Sequence, residues 1–167
     1  MYERHFGLAG PPFRLSPDPE FLFACENHSE LLAAMRQIFR HPLPILAISG
    51  EMGSGKTTIL RHWLGACRAR GVVVAHLVNT QLDADELLQA VAIQFGASTA
   101  AHQATDAAES LRRHFHTLSG QFVLLAIDES QNLSRDALTC LVGLSGIARE
   151  AHVAFRICLT GDRKSVV

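Results

Sequence analysis

Cysteine is scarce in this chain. There are four in 167 residues (Cys25, Cys67, Cys140 and Cys158), and no two stand in C-x-x-C spacing. That excludes a disulfide-built scaffold and a cysteine zinc site, and reads as buried free thiols in a reducing compartment. Lysine is scarcer still, with Lys56 and Lys164 the two present. The formal net charge is −1, so the chain has no global attraction for nucleic acid or an anionic membrane, although a local patch is not ruled out by it. Long apolar runs are missing as well: stretches such as 122–127 fall far short of the ~20 residues that a membrane-spanning helix needs. Pro11 and Pro12 interrupt the N-terminus, so neither a signal peptide nor membrane insertion by this segment is expected. Repeats and low-complexity tracts are absent, which sets aside solenoids. His114 and His116, two apart on an expected helix, point to different faces and do not make a zinc pair.

What is present is an ordinary core-forming composition, 48% hydrophobic, enough for one domain of substantial size and too apolar for disorder. Residues 1–27 carry Tyr2, Phe6, Phe13, Phe21 and Phe23 among Pro11, Pro12, Pro17 and Pro19. Proline at that density forbids a long helix and predicts an extended arm pinned to the body by its aromatic rings. Over 28–167 the pattern alternates. Helix is expected at 29–39, strand at 44–49, helix at 56–70 before Gly71, and strand at 72–78. Asp83 and Glu86 form a capping box for a helix to Phe95, closed by Gly96. Helix at 106–118, strand at 122–127, helix from a Ser134 cap to about 148, and strand at 153–160 complete the series. Strands alternating with helices predict a three-layer α/β fold around a parallel sheet.

The run Gly50-Glu51-Met52-Gly53-Ser54-Gly55-Lys56-Thr57 fits G-x-x-x-x-G-K-[ST], with Thr58 following. It lies between an expected strand and an expected helix, the context in which this pattern binds phosphate. Its glycines allow backbone N–H groups to turn inward around the α- and β-phosphates. Lys56 is then placed for the β- and γ-phosphates and the Thr57 hydroxyl for magnesium. A second element follows the strand at 122–127, where Asp128 and Glu129 stand at the end on which open α/β sheets bind ligands. Asp128 is a candidate magnesium ligand, and Glu129 a candidate group to polarise the water that attacks the γ-phosphate. The guanine-reading tetrapeptide N-K-x-D does not occur, which favours ATP over GTP as the nucleotide. The adjacent acidic pair also points to a sheet in which the strand at 153–160 is inserted between the loop strand and the acidic strand.

The residues Tyr2-x-x-His5-Phe6-Gly7-Leu8, Pro12-Phe13, Ser16-Pro17-Asp18-Pro19 and Phe21, followed by Gly-Glu-Met-Gly-Ser-Gly-Lys-Thr-Thr and Ile127-Asp128-Glu129-Ser130-Gln131-Asn132-Leu133, resemble the secretion-type AAA+ ATPases of the general secretion pathway protein A (ExeA-like) group. The resemblance spans essentially the whole chain. It implies a P-loop NTPase core of the AAA+ type at 28–167, ATP and Mg2+ as cofactors, and hydrolysis carried by Glu129. It also implies a cytoplasmic protein, recruited to the inner membrane by partners, that oligomerises with its own kind and serves bacterial secretion or pilus assembly through an envelope-assembly partner. Phe6, Leu8 and Phe13 of the arm become candidate adenine contacts. A DNA-binding regulator of the transposition-ATPase type shares this core and is the less favoured alternative, as is a remnant that holds ATP without turning it over.

Two features depart from the resemblance. After the last strand the group typically reads Gly-Gln-Pro-Glu, whereas this chain reads Gly161-Asp162-Arg163-Lys164. Glutamine can donate a hydrogen bond to the γ-phosphate; an ionised Asp162 cannot, and repels it. The sensor is therefore expected at Thr160, Asp162 or Arg163, or hydrolysis is impaired. The chain also ends at Val167, where the resemblance leads one to expect a fifth strand and a helical lid. Without a fifth strand, the loop strand is expected at a sheet edge with unpaired backbone groups.

Overall fold

A computed structural model describes residues 2–7, 26–40, 44–78, 81–97 and 104–162. In chain order the elements are helix α1 (Tyr2–Phe6), α2 (Glu26–Arg36) with a 3-10 turn at Gln37–Phe39, β1 (Ile45–Gly50) and α3 (Lys56–Arg68). Then come β2 (Val73–Leu77), α4 (Ala84–Phe95), α5 (Ala104–Thr117) and β3 (Phe122–Ile127). A 3-10 turn at Ser130–Asn132, α6 (Arg135–Glu150) and β4 (Ala154–Asp162) complete them. The sheet is entirely parallel in the order β1-β4-β3-β2, so β4 is inserted between the loop strand and the acidic strand as the acidic pair predicts.

Local chemistry accounts for the helix ends. At α4 the Asp83 carboxylate accepts from Asp85 N (2.9 Å) and Glu86 N (2.8 Å), while Glu86 accepts from Asp83 N at 3.0 Å. The expected capping box is therefore formed in both directions, satisfying donors that the helix itself cannot. Ser134 caps α6 by accepting from Ala137 N at 3.1 Å. Other boundaries move by a few residues. Helix α2 begins at Glu26, ahead of the expected 29, and β4 runs two residues beyond the expected 160. The extra length of β4 comes from pairing: Ser49 and Gly50 of β1 register with Gly161 and Asp162, and that partner is invisible to local pattern.

The aromatic arm holds one turn of helix at Tyr2–Phe6, before the prolines, where an extended segment is expected. Its Phe6 is 69% exposed and its ring meets His5 edge-on at 4.8 Å, so pinning by this ring is not observed. Phe13, Phe21 and Phe23 lie outside the described residues.

The three layers follow from the alternation of β3. Val123, Leu125 and Ile127 face α4, α5 and α6, joining Leu87, Val91, Leu111, Leu141 and the aromatic trio Phe95, Phe115 and Phe155. Leu124 and Ala126 face the other way, toward Leu32 and Met35 of α2 and Ile59, Leu60, Trp63 and Leu64 of α3. A strand covered on both faces has no need of polar alternation, which is why 122–127 reads as a continuous apolar run. Each such buried side chain contributes about 1.5–3 kcal/mol. Strand β1 is at the edge, with Ile45 40% exposed, as the strand order requires.

Candidate functional site

The phosphate-loop candidates lie where β1 gives way to α3. Gly50 ends the strand, Glu51 to Ser54 are exposed, and Gly55 is the residue preceding α3, with φ 83° and ψ 11°. That left-handed conformation costs an L-residue about 1–2 kcal/mol and costs glycine little. Gly53 has φ 78° for the same purpose. Lys56, Thr57 and Thr58 occupy the first turn of α3, whose free N–H groups and positive dipole end form an anion site.

The acidic corner is assembled from three strand ends. Asp128 follows β3 and is 1% exposed. Its Oδ2 accepts from the Thr57 hydroxyl at 2.7 Å, and its Oδ1 from the Thr160 hydroxyl at 2.5 Å and from the Glu129 N–H at 3.1 Å. Its own N–H donates to Leu77 O at 2.9 Å, anchoring it to β2. Three donors thus compensate a carboxylate that burial would otherwise strongly penalise. Glu129 adopts φ 54° and ψ 38° without being glycine, a conformation that costs about 1–3 kcal/mol and persists only where the surroundings enforce it.

The cleft between the halves is a cavity of about 260 Å³ lined by Met52, Gly53, Gly55, Lys56, Thr57, Thr58, Glu129 and Asp162. Loop, Glu129 and β4 terminus therefore face one space, with Asp128 buried behind Thr57. The ammonium of Lys56 is saturated: it donates to Gly50 O at 3.1 Å, to Glu51 O at 2.9 Å and to Asp162 Oδ1 at 2.9 Å. The side chains of the Lys56–Asp162 pair are 10% and 21% exposed. A phosphate reaching Lys56 competes with that carboxylate. Of the three sensor candidates, Thr160 is fully buried against Asp128, Asp162 holds Lys56, and Arg163 lies outside the described residues. Among the adenine candidates, Phe6 is the exposed ring noted above, and Leu8 and Phe13 lie outside the described residues.

Thr57 and Asp128 offer a hydroxyl and a carboxylate 2.7 Å apart, the hard oxygen donors that magnesium takes beside substrate phosphates. The donor set fits the ion.

Three neighbours of the site have no role in the sequence reading. A Cβ on Gly55 would come within 3.7 Å of the His28 imidazole, so α2 presents a side chain to the loop. His76 on β2 keeps a buried Nε2 with no hydrogen-bond partner among the described residues. Burial pushes its imidazole below the ordinary range; nearby Asp128 opposes the shift, and Arg61 and Arg68 reinforce it. Gln131 bridges two site residues, donating from Nε2 to Glu129 Oε2 at 2.5 Å and accepting at Oε1 from the Asp162 N–H at 3.1 Å. Its place in D-E-S-Q-N-L was the available signal; its partner on β4 was not visible without the strand order. Of the thiols expected to be buried and free, Cys67 and Cys158 are so, and burial pushes them up to about 11 and about 12; Cys140 is free but half-buried, and Cys25 lies outside the described residues.

The family described as AAA domain matches residues 28–166. General secretion pathway protein A of Aeromonas hydrophila is 27% identical over 165 residues, which cover 97% of this chain and 30% of that protein. The chain therefore spans about 30% of that relative's length. Among solved structures, Cdc6p from Pyrobaculum aerophilum superposes with a TM-score of 0.65 at 17% identity, covering 98% of this chain and 44% of that one. AMPPCP-bound DnaA from Aquifex aeolicus gives 0.52 at 18% identity, covering 92% and 44%. At such identities the likeness concerns the fold.

Proposed function

The chain belongs to the AAA domain family, and we propose that it binds ATP with magnesium in the cleft between residues 50–58 and Asp128–Glu129 and hydrolyses it to ADP and phosphate. One observation carries the reading: the Thr57 hydroxyl and the Asp128 carboxylate, 71 residues apart in the chain, meet at 2.7 Å. They join the phosphate loop to the acidic strand as a Mg-nucleotide site requires.

In this reading the N–H groups of Gly53 to Thr58 wrap the phosphates, and Lys56 neutralises the β- and γ-phosphates. Thr57 and Asp128 hold magnesium, whose charge offsets that developing on the phosphate oxygens. Glu129, lining the same cavity, orients the attacking water and accepts its proton. The likeness to general secretion pathway protein A supports service in bacterial envelope secretion or pilus assembly. The working form is then a homo-oligomer in the cytoplasm, brought to the inner membrane by an envelope-assembly partner.

The test is a pair of measurements on the wild type and on Glu129→Gln. Wild type should bind Mg-ATP and release phosphate. Glu129→Gln should bind with similar affinity and lose turnover by roughly 100-fold or more, as loss of a general base does. Absence of ATP binding in the wild type sinks the reading; unchanged turnover in the variant moves the base elsewhere.

A second reading, ATP binding without hydrolysis, draws on Asp162, which puts a second negative charge where the γ-phosphate would meet Lys56. Binding without phosphate release would favour it. A DNA-binding role has less support: of the helix-borne basic residues Arg112, Arg113 and His114 that could meet phosphates, Arg112 is engaged by Glu150 at 2.6 Å and Glu109 at 3.6 Å.

A further inference from the structure

We propose that Gln131 is a positioning residue that ties the orientation of Glu129 to the partner held by Lys56. The inference rests on the ATPase reading above and adds a link inside the same site.

The chemistry of the two contacts admits few side chains. The Asp162 N–H can only donate, and an ionised Glu129 can only accept. The residue between them must therefore accept at one end and donate at the other, with both groups on a short planar head. An amide does this, and its orientation is fixed by the two partners. Oε1 takes the Asp162 N–H at 3.1 Å and Nε2 gives to Glu129 Oε2 at 2.5 Å. A glutamate here would face Glu129 with like charge, and an apolar side chain would offer neither group a hydrogen bond.

The backbone around this amide is shaped to seat it. Gly161 stands directly against it: a Cβ there would lie 2.8 Å from Gln131 Oε1, 3.0 Å from Ser130 Oγ and 3.4 Å from Gln131 N. The first of these is closer than a Cβ tolerates and the second is tight, so a side chain at 161 would push the amide oxygen away. The 3-10 turn at Ser130–Asn132 and the left-handed Glu129 before it bring the Gln131 side chain back toward β4. Asp162 is then held twice, its N–H by Gln131 and its carboxylate by Lys56 at 2.9 Å.

A route follows from this double hold. A γ-phosphate that reaches Lys56 displaces the Asp162 carboxylate, because the three protons of Lys56 already have acceptors. Where that displacement shifts the end of β4, it carries the Asp162 N–H, and with it the amide that holds Glu129. The occupancy of Lys56 is thereby communicated to the water-orienting carboxylate through two hydrogen bonds.

The experiment compares wild type with Gln131→Met, Gln131→Glu and Gly161→Ala, measuring Mg-ATP affinity and single-turnover phosphate release, with thermal melts confirming that each folds. Removing a residue that orients a reacting group typically costs about 10–100-fold in activity. We expect that loss in turnover for all three variants, with affinity changed by less than about threefold, and Gly161→Ala should show it with the amide still present. In a Glu129→Gln background, Gln131→Met should add no further loss, since the group it positions is gone. Full turnover in Gln131→Met, or a loss that multiplies in the Glu129→Gln background, overturns the proposal. So does an effect confined to affinity, which would make Gln131 a nucleotide contact. A readout without nucleotide separates this link from the ATPase reading. The Gln131 side-chain amide signal, identified by its loss in Gln131→Met, should move in the ¹⁵N spectrum on Glu129→Gln and on Asp162→Asn. A signal unmoved by Glu129→Gln rejects the bridge even if the protein hydrolyses ATP, one moved by it upholds the bridge even if it does not, and one unmoved by Asp162→Asn rejects the link to Lys56.

Discussion

Glu51 to Ser54 of the phosphate loop are exposed, whereas across the cleft Asp128 is 1% exposed and Thr160 fully buried. The loop is held by its own turn, Ser54 N to Glu51 O at 3.2 Å, and by Lys56 reaching back to Gly50 and Glu51. The acidic corner is held from three strands at once, with every oxygen of Asp128 already matched. One half is an exposed turn whose lysine is held by backbone carbonyls and by Asp162. The other is a preformed carboxylate whose place is set by the core. Substitutions on the loop side should therefore act on binding and leave folding alone, whereas substitutions in the corner should lower stability as well.

The largest expected effect falls on the loop. Lys56→Ala removes the cation and strands Asp162 without its partner. Truncating one member of a charge pair between binding partners, here Lys56 against the β- and γ-phosphates, costs about 2–5 kcal/mol, so Mg-ATP affinity should fall by roughly 100-fold or more, measured by calorimetric titration. The urea midpoint should move little, because the pair is only partly buried. A large loss of stability with affinity retained would break the contrast between the halves.

Thr160→Val tests the corner. The valine fills the same space, but Asp128 Oδ1 loses its donor in a site sealed from water. Leaving a buried acceptor short of a partner costs about 1–3 kcal/mol, read as a lower urea midpoint at unchanged slope. An unchanged midpoint would mean that the Glu129 N–H alone satisfies that oxygen.

The same contrast explains what was legible in the sequence. Gly50 to Thr57 is contiguous, and each of its residues acts on its immediate neighbours, so the motif announces the loop without any tertiary knowledge. The capping box at Asp83 and Glu86 was readable for the same reason. Asp128 was readable because it ends an apolar strand. What Thr160, Gln131 and Gly161 do depends on β4 lying beside both β1 and β3, a matter of pairing between segments some 30 to 110 residues apart. The acidic pair suggested that order, but no local pattern says that the amide of Gln131 will meet the N–H of Asp162. The turn of helix at Tyr2–Phe6 precedes the first proline, so the proline density that forbids a long helix further on does not bear on it.

Asp162→Asn sharpens the comparison from the other side. It removes the carboxylate that competes with phosphate for Lys56, while an amide oxygen remains to accept a weaker hydrogen bond. Mg-ATP affinity should rise by about 3–10-fold, in line with the roughly 1 kcal/mol that a partly exposed ion pair is worth. The gain should shrink at high salt, which already screens the pair. Weaker binding in Asp162→Asn would show that Asp162 helps the nucleotide in place of opposing it.

The smallest effect concerns His76, which sits behind the corner on β2. Burial lowers its imidazole below the unfolded value of about 6.5, so near neutral pH the folded chain keeps it uncharged. As pH falls through that value, the unfolded chain takes up a proton that the folded chain refuses, and stability drops until folded His76 itself protonates. Urea midpoints should therefore decline from about pH 7.5 to about pH 5.5, and His76→Gln should flatten part of that decline. Because Nε2 of His76 has no hydrogen-bond partner among the described residues, replacing the ring should cost little at neutral pH. An identical pH slope in wild type and variant would place the titrating group elsewhere. A steep loss at neutral pH would show that the ring is packed into the corner, and that the sealed half of the cleft extends onto β2.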